Sequence, residues 1–166
     1  MSIHGRAALR SVPPRPQRSV GAVGGFGRSR QAAIDRVMRG VGDDMRDYRA
    51  LLGLLDEQFD AALRHDAVRV EDVGQRILAA VDGLEGRRRE RVALVELLLG
   101  PDGRMDELIG TLAPPRQGAL DAGWKALQTL VRQCKELNAR NCRLMTDQQA
   151  VMQRVLHGDM ETYAPA

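Results

Sequence analysis

Between residues 43 and 63 the apolar positions Met45, Tyr48, Leu51, Leu52, Leu55, Phe59, Ala62 and Leu63 recur at steps of about three and four, the period of an amphipathic helix. Asp43 and Asp44 stand where carboxylates meet free N–H groups at a helix start. A polar break at His65–Asp66 separates this run from a second. In the second run, Val70, Ile77, Leu84, Arg91 and Leu98 are seven apart, with Val73, Ala80, Arg87 and Leu94 between them. That pattern predicts a heptad seam with an arginine layer in its middle. "LLGPDGR" at 98–104 ends it, a short helix is expected from Met105 to Leu112, and "APPRQG" breaks the chain again.

The last run is the longest. Leu120, Trp124, Leu127, Val131, Cys134, Asn138, Asn141, Met145, Gln148, Met152 and Val155 alternate four and three without a breaker. Leu130, Leu137, Leu144 and Val151 form a second lane, and Gly158 is the expected terminator. About 40 residues of helix span about 60 Å, too long for a compact four-helix domain. The pattern therefore predicts an all-α fold: an elongated antiparallel coiled-coil helical bundle with three main helices and a long C-terminal helix.

Composition sharpens the boundaries. Aromatics are only 3% of the chain against 43% hydrophobic residues, which suits Leu, Val, Ala and Met packing between helices. No apolar run approaches the ~18 residues of a membrane span, so the chain is expected to be soluble. Residues 1–40 hold eight arginines against one acid (Asp35), whereas residues 41–166 hold 17 basic and 21 acidic groups. The basic character thus belongs to the leader. Residues 1–40 are expected to be a disordered Arg/Gly/Pro-rich leader, 41–157 the helical bundle, and 158–166 a flexible tail. "GAVGGFG" at 21–27 reads as flexible linker. Two cysteines make no disulfide framework, and no apolar signal core is visible. The prolines and glycines argue against an organellar transit helix, leaving a cytoplasmic location as the expectation.

Pairing arithmetic adds two expectations. A turn near residues 67–68 places Arg88 opposite Asp47 and Arg91 opposite Asp44. If the long helix then returns antiparallel to the second one, residues beyond about 148 overhang the hairpin. That overhang carries Val151, Met152, Val155 and Leu156, an uncovered apolar stripe of the kind that seats in a partner's groove. Self-association through the stripe, or a final helix bent back on the bundle, are the alternatives.

Catalytic chemistry finds no support. His4, His65 and His157 share no helix face, and Asp56, Glu57 and Asp60 read as a solvated acidic face. Cys134 and Cys142 are about 12 Å apart along a helix, too far for a disulfide, and zinc would need two further ligands. No metal, cofactor or small-molecule substrate is expected, and no aromatic lies near "RRRER" at 87–91 to stack a nucleic-acid base. Asn138 and Asn141 fall on the seam and are expected to form a register-setting polar layer facing the second helix near Ile77 and Gly74.

"LNARNCRLM" at 137–145, followed by helix and then "ETYAP", resembles the FlgN family of bacterial flagellar export chaperones. That family's last helix carries N-x-x-N-G-x-L-L, followed by a tail with Tyr-Gly. Asn138, Asn141, Leu144 and Tyr163 match, as does "DGLEGRRR" with the family's Leu-Glu-x-x-Arg-Arg segment. Cys142 stands in place of the motif glycine, and Ala164 follows Tyr163 where the family has Gly. The resemblance implies a non-enzymatic, cytoplasmic chaperone that binds hook-associated (hook-filament junction) proteins. Its contacts would lie on the C-terminal part of the last helix, here Leu144, Met145, Val151, Met152, Val155 and Leu156. Delivery to the membrane-embedded export gate would involve Tyr163, with membrane contact only through the export apparatus. A coiled-coil adaptor that self-associates through the same stripe is the alternative function.

Overall fold

The computed structural model describes residues 21–162, with side chains described from 27 to 157. It consists of α1 (Gly21–Leu63), α2 (Ala67–Leu99), a short α3 (Met105–Gly110) and α4 (Pro114–Thr162).

On α1, one lane at alternating steps of three and four holds Ile34, Val37, Val41, Asp44, Leu51, Leu55 and Ala62, all buried. His65 turns the chain with φ 55°, and Asp66 caps α2 by accepting from the Arg69 backbone N–H at 3.0 Å. The α2 seam buries Val73 and Leu84 as read from the heptads, but its third buried residue is Val95, one position past the expected Leu94. Gly100, with φ 98°, ends α2 in a backbone region that favours glycine.

Two apolar clusters fill the bundle. One joins Ile34, Val37 and Val41 to Val95, Leu108, Ile109, Leu120 and Leu127, so α3 closes this end. The other joins Leu51, Leu55, Leu84 and Cys134. Between them lies the ionic layer. Buried Asp44 accepts from Arg87 Nε at 2.6 Å and from Arg91, and Asp47 also holds Arg87. Arg91 thus faces Asp44 as expected, but Arg87, not Arg88, reaches Asp47. Arg88 points outward to Glu85 on its own helix. One residue is 100° of helix rotation, enough to move a side chain from seam to surface.

Three boundaries differ from the sequence expectation. Residues 21–40 are helical, and Ala33, Ile34 and Val37 belong to the core. The expected break at residue 40 therefore falls inside α1, and "GAVGGFG" belongs to that helix. Residues 1–20 of the expected leader lie outside the described residues. "APPRQG" starts α4 instead of merely breaking the chain, because proline in a first turn gives up only an N–H with no intrahelical partner. At the other end α4 continues through Gly158 to Thr162, so the expected tail boundary falls inside a helix.

The largest correction concerns α4. It packs on α1, running parallel to it, and no Cα atoms of α2 and α4 come within 8 Å of each other. Cys134 Sγ donates to the Tyr48 carbonyl at 3.6 Å, Asn141 Nδ2 to the Leu55 carbonyl at 2.7 Å, and Gln148 Nε2 to the Ala62 carbonyl at 2.8 Å. Each pair is separated by 86 residues. A constant difference, repeated every heptad, is the mark of two parallel helices in fixed register.

Candidate functional site

That register determines where α4 runs out of neighbours. Ala62 lies in the last turn of α1, so Gln148 is the last α4 residue of the ladder with an α1 partner. Beyond it the helix continues for about 20 Å. Val151, Met152, Val155 and Leu156 stand 52%, 62%, 57% and 60% exposed. The overhang is where the sequence placed it, although the neighbour that ends is α1 and not the hairpin face of α2. Leu144 and Met145 are half-buried on the bundle, so the six candidate contact residues divide into two on the flank and four in the open. At about 100° per residue, those four occupy one arc of roughly 140°, with Arg154 on the opposite side.

The root of the overhang is firmly held. Arg140 stacks over the Phe59 ring, 3.9 Å from its centroid, and pairs with Asp56 at 2.9 Å. Asn141, only 1% exposed, donates to both the Leu55 carbonyl and Gln58 Oε1, and accepts from Arg140 Nε. Every buried side-chain N or O atom among the described residues has a hydrogen-bond partner. Asn138 is exposed. The expected layer of two asparagines is therefore one asparagine with Gln148 a heptad later, and it faces α1 instead of Ile77 and Gly74. Tyr163 lies outside the described residues.

Both thiols are free, Cys134 buried and Cys142 exposed. Burial pushes the Cys134 thiol from its ordinary value near 9 up to about 11. The folded chain thus holds this proton more tightly than the unfolded one, so this group's contribution to stability is intact below pH 9 and is lost as pH rises through about 11. At pH 8 a thiol reagent should modify Cys142 rapidly and Cys134 only upon unfolding; two equally fast thiols would contradict the packing of α4 on α1.

Sequence reasoning also missed a surface. Because the backbones of α2 and α4 stand apart on either side of α1 and only their side chains meet, a groove of about 770 Å³ opens between them. The signal was available in Leu78, Val81 and Val92, apolar residues on a face of α2 that the heptad seam does not use.

Among the described residues, no group of three or more His, Cys, Asp or Glu side chains is placed to hold a metal ion, and no helix is long and apolar enough to cross a membrane. What the fold presents is a rigid helical bundle with an apolar helical extension and an open groove, the equipment of a protein-binding protein. The family model described as FlgN protein matches residues 33–157, three quarters of the chain, and the chain belongs to the FlgN family, a chaperone family of flagellar assembly and not an enzyme family. No curated protein and no solved structure gives a significant match.

Proposed function

We propose that this chain holds hook-filament junction proteins through the α4 overhang, in the cytoplasm, and delivers them to the flagellar export gate. The observation that carries the reading is the uncovered stripe of Val151, Met152, Val155 and Leu156 beyond the end of α1. A stripe of this arc suits an amphipathic helix, and Met152 supplies a flexible side chain that adapts to its partner. Membership of a flagellar chaperone family supports the class of client. Gate docking rests on Tyr163 alone, by its match to the family's tail tyrosine.

Titration calorimetry against the C-terminal helical segment of a hook-associated protein tests this. The Met152→Asp/Leu156→Asp double variant is expected to weaken binding at least about 100-fold. Its thermal midpoint should stay close to that of the parent, since both side chains are exposed. Undiminished affinity would place the site elsewhere, and no binding by the parent chain would overturn the client class.

A further inference from the structure

On α1, the side away from the buried lane of Ile34, Val37 and Val41 carries arginine. At about 100° per residue, Arg28, Arg39, Arg46 and Arg49 fall within one arc of about 80°, along about 32 Å of helix. These arginines are exposed, and so are the small residues Ala32, Gly42 and Ala50 that stand among them. The carboxylates bordering the arc are already engaged. Asp35 is held by Arg116, Asp43 by Arg46 at 2.9 Å, Asp47 by Arg87 and Glu90 by Arg36. Arg39 and Arg49 have no carboxylate partner among the described residues. Residues 1–20, outside the described residues, add Arg6, Arg10, Arg15 and Arg18 and no acid. From residue 56 on, the same face of α1 carries Asp56, Glu57 and Asp60 in place of arginine.

We propose that this face of α1, together with the arginines of residues 1–20, docks the chain on an anionic phospholipid surface. Such a surface is a plane, and arginines on one arc of a single helix reach a plane together. The small residues among them let the helix approach it closely. Each guanidinium offers a planar fork that pairs two-pronged with a headgroup phosphate, and clusters of about four to eight basic residues on one helix are the kind that anionic headgroups hold. A nucleic acid fits this face less well. No aromatic side chain among the described residues lies on the arc to stack a base. In addition, α2 and α4 both flank α1, and three helices side by side are too wide for a major groove of about 12 Å. The contact is peripheral and electrostatic, so salt weakens it. The α4 overhang projects from the other end of α1, about 35 Å along the axis from Arg39. A docked chain therefore keeps its apolar stripe free for a client. The inference is independent of the client assignment, because none of these arginines belongs to the overhang.

Co-sedimentation of the full chain with vesicles tests it, comparing pure phosphatidylcholine with phosphatidylcholine containing about 30% phosphatidylglycerol. The parent is expected to sediment with the anionic vesicles at about 0.1 M NaCl, to leave them at about 0.5 M, and to ignore the neutral ones. An arginine near an anionic surface contributes roughly fivefold in affinity, so Arg39→Glu/Arg49→Glu should bind at least about 25-fold more weakly. Its thermal midpoint should match the parent's, since both side chains are exposed. Removing residues 1–20 should weaken binding by at least a similar factor. Equal binding to both vesicle types, or none to the anionic ones at about 1 mM lipid, overturns the proposal. So does parental binding by Arg39→Glu/Arg49→Glu, which removes the α1 face as the seat. Tighter binding to a double-stranded DNA fragment than to the anionic vesicles at the same salt also overturns it and makes the face a nucleic-acid site.

Discussion

Replacing Asp44 by Ala is expected to lower folding stability by about 3 kcal/mol, because it leaves the largely enclosed Arg91 guanidinium without its carboxylate. Asp44 stands in the α1 lane where every neighbouring heptad position is apolar, and it is 1% exposed. It accepts from Arg87 and Arg91, and the Arg91 side chain is itself only 11% exposed. Asp47 remains to hold Arg87, but no other carboxylate is recorded at Arg91. Urea unfolding should show the midpoint falling with an unchanged slope. Replacing the pair together, Asp44→Leu with Arg91→Met, should destabilise less than Asp44→Ala, since no charge is then left without its partner. A loss below about 1 kcal/mol for Asp44→Ala would mean that water reaches the layer and that it behaves as a surface ion pair.

The ionic layer also shows how far the sequence could be read. Arg91 opposite Asp44 followed from counting back from the turn, because two antiparallel helices joined by a short break have only one alignment. The α4 pairing had no such constraint. Its heptad lanes fit either α1 or α2 equally well, and the loop holding α3 is long enough for both. What decides the matter is the length of α1. Ile34, Val37 and Val41 give it a second core cluster with Leu120 and Leu127, so α4 finds a lane from residue 34 to residue 62 whose buried side chains are apolar except for Asp44. Those residues were hidden by composition: arginines and glycines around them lowered the average apolarity, although the three-four spacing was already present. Asn141 and Asn138 illustrate the finer limit. Both lie near the seam by period, yet only geometry shows that Asn141 meets the Leu55 carbonyl while Asn138 looks outward. The overhang survived the wrong pairing because α1 ends and α2 begins at the same turn, so either neighbour leaves α4 uncovered past about residue 148.

A chain ending at Gln149 is expected to fold as the parent does and to lose client binding entirely. The ladder between α4 and α1 closes at Gln148 and Ala62, and both apolar clusters lie on the bundle side of it. Residues 150–157 are all exposed, so their removal takes no buried contact from the core. The thermal midpoint should therefore shift by no more than a degree or two, and the helical signal should fall only by the fraction of residues removed. Calorimetry with a junction-protein C-terminal segment should then show no heat of binding at concentrations that saturate the parent. A truncated chain that binds client with parental affinity moves recognition back onto the bundle, where Leu144 and Met145 on the half-buried flank would be the next positions to substitute.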